Sequence, residues 1–267
     1  MLKKDFPLVT VIIPVYNRES KVLDTLINIW NNQYRPIELI VVNDGSSDNT
    51  LDVLNAFKSK YQNDTFKVKV LDQTNKGAPA ARNFGFQNSE GDYIQFLDSD
   101  DFINELKFVI QIDIMQKENA DLGLCDFTMK LLEENKTVYH SNAEKLEKVI
   151  KAHGSFGCGS PLQTKTLADK ISWNTNLSKK QDVDYFLKAA LMSKTIAYVN
   201  KSLYTYTRSI NDNERISASY SKTPTVFLER IKSIRNIDVP NNHRLHKTKA
   251  ILNLYFSMIK FKIKKYI

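Results

Sequence analysis

An alternation in the first hundred residues most constrains what this chain can fold into. Four short, β-branched apolar runs, Leu8–Ile13, Ile37–Val42, Val68–Leu71 and Tyr93–Leu97, are separated by helix-length stretches near Glu19–Asn32, Ser47–Tyr61 and Ala78–Gln87. Strands alternating with amphipathic segments read as βαβ units around a parallel sheet covered on both faces, an α/β fold. Polar clusters follow all four runs: Pro14-Val15-Tyr16-Asn17, Asn43-Asp44-Gly45-Ser46, Gln73 to Gly77, and Asp98 to Asp101. They therefore gather at the carboxyl ends of parallel strands, where open α/β sheets bind ligands. One such cluster is a loop; four at one edge make a site.

Beyond Asp101 the pattern loosens. Phe102–Glu118 reads as a helix, Asp121–Met129 as a strand, Gln181–Ser193 as a second helix and Ile196–Thr207 as another strand. A polar loop, Arg208–Tyr220, precedes closing helical segments. Two cysteines, Cys125 and Cys158, stand at no metal-ligand spacing and read as buried free thiols of a reducing cytoplasm. No stretch reaches the roughly 18 apolar residues of a membrane span, and the N-terminus has no signal-peptide pattern, so the expected location is cytoplasmic.

The net charge of +8 is unevenly spread. No acidic residue follows Asp238, whereas Arg244, Lys247, Lys249, Lys260, Lys262, Lys264 and Lys265 do. The body is thus nearly neutral, which argues against a nucleic-acid partner. In the tail, Ile251, Leu254, Tyr255, Met258 and Ile259 recur at helical spacing among the lysines. Two readings stay open for it: a basic amphipathic helix lying peripherally on an anionic membrane, or a terminal helix packed on the body. Of the four histidines, His243 and His246 read as surface residues of this tail.

Asp98-Ser99-Asp100-Asp101 carries the clearest chemistry. In an extended segment residues two apart share a side, so Asp98 and Asp100 are expected to face one ligand together. Paired carboxylates suit Mn²⁺ or Mg²⁺, with phosphate oxygens and water completing the shell. In Asp44-Gly45-Ser46-Ser47-Asp48, the serines and Asp48 are expected to cap the following helix. Asp44, at the strand end, can accept from a base N–H or a ribose hydroxyl. Tyr16 can stack on a base, and Arg82 can reach a phosphate.

Read in order, Val11-Ile12-Ile13-Pro14-Val15-Tyr16-Asn17, Ile40-Val41-Val42-Asn43-Asp44-Gly45-Ser46, Asn75-Lys76-Gly77 through Ala81-Arg82-Asn83, and Phe96-Leu97-Asp98-Ser99-Asp100-Asp101 resemble the motifs of family-2 inverting glycosyltransferases with a GT-A fold. The match covers residues 7–105. The resemblance implies a Rossmann-like nucleotide-binding sheet in residues 1–127, an acceptor-binding half in 128–238 and a helical tail in 239–267. It implies that Pro14, Tyr16, Asn17, Glu19, Asp44, Asn75, Gly77, Arg82, Asp98 and Ser99 bind a nucleoside-diphosphate sugar, usually of uridine, and that Asp100 with Asp98 holds the metal. Glu19 also suits the first turn of a helix. In the second half, Gln181-Asp182 is similar to the family's Glu-Asp motif, which makes Asp182 the expected general base and Asp184 its fallback. Tyr204-Thr205-Tyr206-Thr207-Arg208 with Ile216-Ser217 is similar to a C-terminal element whose Arg208 approaches the diphosphate. The family usually has Asp at position 43 and Glu at 181.

The activity implied is transfer of a sugar to a hydroxyl of a glycan or lipid-linked acceptor, of the cell-envelope polysaccharide type. Two other readings stand beside it. A sugar nucleotidyltransferase shares such a sheet, but a Gly-rich basic loop after strand one is missing here. A catalytically silent nucleotide-sugar-binding subunit is kept alive by Gln181.

Overall fold

A computed structural model describes residues 6–131, 134–141, 157–177, 180–208 and 224–264. Among these, the elements in chain order are β1 (Val9–Val15), α1 (Val22–Trp30), β2 (Ile37–Asp44), α2 (Thr50–Tyr61), β3 (Phe66–Gln73), α3 (Ala78–Gln87), β4 (Tyr93–Phe96), β5 (Phe102–Ile103), α4 (Lys107–Lys117), β6 (Leu122–Leu131), β7 (Lys136–His140), β8 (Leu162–Thr164), α5 (Lys165–Ala168), α6 (Gln181–Met192), β9 (Ile196–Arg208), α7 (Pro224–Arg235) and α8 (Arg244–Lys264). Ile216 and Ser217, with most of the expected Arg208–Tyr220 loop, lie outside the described residues, as do the side chains of Arg208, Tyr255, Met258 and Ile259.

The strands join one sheet in the order β3-β2-β1-β4-β8-β6-β9-β5, with β7 beside β6. β1 runs parallel to β2 and β4, and β2 parallel to β3. β8 is antiparallel to both β4 and β6, so β6 points the same way as β4, and β9 is parallel to β6. The carboxyl ends of β1–β4, β6 and β9 therefore meet at one edge. The 127/128 boundary falls inside β6, and the sheet continues across it.

Alternation along the buried strands sorts their side chains onto two faces. Val11, Ile13, Leu39 and Val41 pack with Leu26 and Ile29 of α1, Leu54 and Phe57 of α2, and Phe108 and Ile112 of α4. Ile12, Ile40 and Val42 belong to the opposite core, with Ala81 of α3, Tyr185 and Leu187 of α6, Ile231 and Ile234 of α7, and Ala250 and Leu254 of α8. The tail is thus docked on the body along its first turns. His243, expected at the surface, is buried and its Nδ1 lies 3.0 Å from the Leu191 carbonyl oxygen.

The helix expected over Phe102–Glu118 begins only at Lys107. Its first residues form β5 instead, held by Asn28, whose amide donates to the Ile103 carbonyl (3.0 Å) and whose Oδ1 accepts from the Ile103 N–H (2.8 Å). Pairing with Thr205 and Tyr204 of β9 completes the capture. Tertiary hydrogen bonds override local helical preference here.

α3 lies close on the sheet because Gly85 has no side chain. A Cβ at Gly85 would stand 2.6 Å from Ile12 Cγ2 and 3.1 Å from Val42 Cγ2. Gly85→Ala is expected to cost roughly 1–3 kcal/mol by overpacking. It should also displace the helix that carries Arg82; thermal unfolding, with the wild type as reference, measures the loss.

Candidate active site

The loops after β1 and β2 are stapled together. The Asn17 N–H donates to Ser46 Oγ (3.0 Å), and the Ser47 N–H donates to Asn17 Oδ1 (2.8 Å). The Arg18 N–H donates to Thr50 Oγ1 (2.8 Å) and the Glu19 N–H to Asp48 Oδ2 (3.2 Å). Glu19 lies before α1 rather than in its first turn, and its carboxylate accepts from the Asn49 N–H (2.8 Å). The serines do not cap α2. Asp48 alone of the three turns back to the helix start, accepting from the Thr50 N–H at 3.0 Å, because Ser46 and Ser47 are spent on the neighbouring loop.

Asp44 draws in the third loop. Its Oδ1 accepts from Gln73 Nε2 (2.6 Å) and the Lys76 N–H (2.9 Å), and its Oδ2 from the Gly77 N–H (2.8 Å). The backbones come so near that a Cβ on Gly45, whose φ is +71°, would lie 2.7 Å from the Asn75 nitrogen. Asn75 is exposed on this loop, while Gly77 (φ +85°) starts α3 next to Pro79 and Ala81. Pro14 is inside β1, and Tyr16, just beyond it, is 48% exposed. That leaves the Tyr16 ring accessible to a ligand at this edge.

Across the edge, Arg82 Nη2 meets Asp98 Oδ1 at 2.6 Å. Its guanidinium also lies 4.3 Å from the Trp173 ring centre, and Trp173 is stacked on Tyr185 of α6. Next to it, Asn83 holds the Trp173 backbone at both ends, donating to its carbonyl and accepting its N–H at 2.9 Å each. Burial alone would lower the Arg82 pKa; the Asp98 charge and hydrogen bond outweigh it and hold the group above its ordinary value. Arg82 is therefore a buried cation built into the site rather than a surface ion-pair partner.

Asp98–Asp101 is a turn and not an extended segment: the Asp101 N–H donates to the Asp98 carbonyl at 3.2 Å, and β4 has ended at Phe96. Strand alternation therefore does not aim Asp98 and Asp100 to one side. Ser99 is buried, and its carbonyl accepts from Thr25 of α1. Among the described residues no three acidic, histidine or cysteine groups gather into a protein-only metal cage. A hard divalent ion taking one or two carboxylates and the oxygens of a bound diphosphate needs none, and Asp98 Oδ2 with the Asp100 carboxylate suits that role.

Asp182 lies in the first turn of α6, half-buried, where it and the Arg82–Asp98 pair sense one another's charge. Burial pushes its carboxyl above the ordinary range; the Val183 N–H pulls it down, Asp98 pushes it up, and Arg82 and Lys180 pull it back. Asp184 is not an alternative base. It is fully buried and faces α7, paired with Lys188 Nζ (2.9 Å) and accepting from Ser233 Oγ (3.2 Å). Two residues along a helix is about 200°, which turns it away from Asp182's face.

Other residues around the site take roles that their motifs did not assign. Asp101 is fully buried, accepts from the Tyr204 hydroxyl and from the Thr207 N–H (3.3 Å), and so ties the acidic turn to β9. Burial, then the charges of Asp98 and Asp100, push its pKa well up. Tyr204 fills the space left by Gly157 and Gly159, where a Cβ would come within 2.3 Å of its ring. Cys158, between those glycines, is buried within reach of the charges on Asp98, Arg82 and Asp182. Only the glycine–cysteine–glycine spelling hinted at a tight fit.

Both departures from the family pattern are amides that donate. Asn43 Nδ2 donates to Asp72 Oδ1 (2.7 Å), and Gln181 Nε2 donates to the Leu177 carbonyl (2.9 Å). A carboxylate at either place would meet an acceptor with an acceptor.

The model of the family described as glycosyl transferase family 2 matches residues 10–204. The chain is 33% identical over 152 residues to an uncharacterized glycosyltransferase of Haemophilus influenzae, covering 57% of this chain and 59% of the relative. It is 28% identical over 269 residues to the poly(ribitol-phosphate) beta-glucosyltransferase of Bacillus spizizenii, covering 95% of this chain and 41% of that protein. The chain thus spans only 41–59% of the length of these relatives. Among solved structures, residues 1–349 of S. aureus TarS in complex with UDP-GlcNAc superpose with a TM-score of 0.75 at 23% identity, covering 93% of this chain and 72% of that one. The fold is the GT-A fold expected from the sequence motifs.

Replacing Tyr204 by Phe removes one hydrogen bond to a buried carboxyl and nothing else. It is expected to cost roughly 1–3 kcal/mol, read as a lower urea midpoint with an unchanged m-value.

Proposed function

The chain belongs to glycosyl transferase family 2, and from that premise we propose that it transfers a sugar, with inversion, from a nucleoside-diphosphate sugar to an acceptor hydroxyl, with Asp182 as general base. The observation that carries this is the link from the Arg82–Asp98 pair through Trp173 and Tyr185 to the helix whose first turn holds Asp182, at the carboxyl edge of the sheet. A UDP-sugar is the donor class supported by the TarS complex with UDP-GlcNAc. The named activity of the Bacillus spizizenii relative supports a glycan or polyol-phosphate acceptor of the cell envelope.

In this reading Tyr16 and the loop held by Asp44 take the nucleoside, and Asp98 faces the ribose side. Asp98 and Asp100 would hold Mn²⁺ or Mg²⁺, which when bound neutralises charge on the leaving diphosphate. Arg82 orients Asp98 through their 2.6 Å ion pair. Asp182 removes the proton of the attacking hydroxyl as the new bond forms, and its raised pKa brings it closer to that task than a free aspartate.

Asp182→Asn is expected to abolish transfer while leaving calorimetric binding of UDP in Mn²⁺ unchanged. Parallel loss of both would remove Asp182 from the base role. Chelation of divalent ions with EDTA is expected to stop the wild type, and Mn²⁺ to restore it. The acid limb of kcat/KM should lie above the ordinary aspartate value of 3.8, with activity lost as pH falls and Asp182 takes up its proton.

We also propose that α8 rests on an anionic membrane. Ala250 and Leu254 face the body, whereas Leu245 and Leu252 are 63% and 48% exposed with Lys249 between them on the same helical face. No helix among the described residues is long and apolar enough to cross a bilayer. Sedimentation with phosphatidylglycerol vesicles should fall in Leu245→Ser/Leu252→Ser, and unchanged sedimentation would refute the contact.

A further inference from the structure

Beside the acidic turn, β6 outruns its neighbour. Ile94 of β4 is level with Gln163 of β8, and Gln163 with Leu122 of β6. β4 stops at Phe96, but β6 continues to Leu131, flanked by β7 and the end of β9, so a wall roughly 20 Å long projects past the site.

On that wall Tyr139 is 57% exposed, yet its hydroxyl is not left to solvent: it donates to Asp126 of β6, whose residue is only 1% exposed. A buried carboxylate is costly, and this one accepts from the hydroxyl of an exposed ring and so holds that ring in one orientation. Thr128, directly opposite Tyr139 on the same face, shares a 2.6 Å hydrogen bond with Ser202. Register shifts between β6 and β9 fall on either side of Asp126, and such irregularities re-aim side chains beside active sites.

The wall and α6 share one face of the sheet. Leu124 packs in the core that includes Tyr185 and Leu187 of α6, whereas Cys125 and Phe127 pack in the opposite core, which leaves Asp126 on the α6 face, and with it Thr128, opposite the Tyr139 that Asp126 holds. The C-terminus of α6 is pinned at the start of β6, where Asp121 accepts from the Lys194 N–H (3.0 Å) and the Ser193 hydroxyl. From there α6 runs back twelve residues, about 18 Å, equal to about five strand residues. Asp182 therefore lies level with Asp126 along the sheet, one turn before Tyr185, which packs on Phe96 of β4 and accepts from Gln163 of β8.

We propose that the Tyr139 ring, clamped by Asp126, is the acceptor platform of this site, taking the C–H face of a pyranose whose hydroxyl is presented to Asp182. This rests on the transferase reading above. A tyrosine fixed in advance offers broad amphipathic area at low entropic cost, and a sugar ring has an apolar face and polar edges to match.

The test is transfer from a panel of UDP-sugars to p-nitrophenyl glycopyranosides, with donor hydrolysis in the absence of acceptor measured alongside. Tyr139→Ala is expected to raise the acceptor KM about tenfold, the loss of one stacking contact, while donor KM and hydrolysis stay at wild-type values. Tyr139→Trp should restore much of the loss, and Asp126→Asn, which loosens the ring without removing it, should give a smaller rise. An unchanged acceptor KM in Tyr139→Ala overturns the platform. So does a wild type that hydrolyses donor but shows no saturable transfer to any pyranoside, an outcome that leaves the transferase reading standing. A wild type that neither hydrolyses nor transfers any sugar removes that reading, and the platform with it.

Discussion

Arg82 of α3 and Asp98 of the turn after β4 form an ion pair whose guanidinium is buried against Trp173, and the rest of the site is arranged around that cation. An isolated buried charge is not tolerated, so the chain supplies a carboxylate on one side and an aromatic face on the other. Each partner belongs to a different part of the chain. α3 comes from the regular βαβ half, the turn from the strand that ends it, and Trp173 from the segment before α6. Trp173 stacked on Tyr185 then sets where the first turn of α6, and with it Asp182, can lie. One pair thus ties Asp98, through Trp173 and Tyr185, to the helix that carries Asp182.

The loops around this pair are rigid because their polar groups satisfy one another. Asn17, Glu19, Ser46, Ser47 and Asp48 exchange hydrogen bonds between the first two loops, and Asp44 gathers the third. Loops preorganised in this way lose little conformational freedom when a ligand arrives. The two amides that replace the family's usual acids fit the same logic, since Asn43 and Gln181 both donate to a neighbouring acceptor. Gln181 in particular ties the start of α6 to the Leu177 carbonyl, so its place beside Asp182 is compatible with an active enzyme.

Much of this was legible in the sequence. The four strand runs, the common edge of their polar ends and α3 over Ala78–Gln87 follow from periodicity and turn chemistry, and the structure has them within a few residues. The individual roles of polar residues were not legible to the same degree. Ser46 and Ser47 are good helix-capping types, yet a loop thirty residues away claims them; Phe102 and Ile103 sit in a helix-like pattern, yet Asn28 and β9 draw them into a strand. The tail's apolar spacing suited body or membrane equally, and only the burial of Ala250 and Leu254 shows which face is turned inward.

The sequence by itself determined the α/β alternation, the gathering of four polar clusters at one sheet edge, and the family, because these depend on local period and short motifs. Only the tertiary structure decided that Asp101 is an anchor for Tyr204 and not a ligand-facing acid, that Asp184 faces α7 and leaves Asp182 at the site, and that Tyr139 is held by Asp126 on a projecting wall. Those assignments depend on which donor meets which carboxylate across long sequence separations. Identical aspartates acquire different work from their burial and their partners.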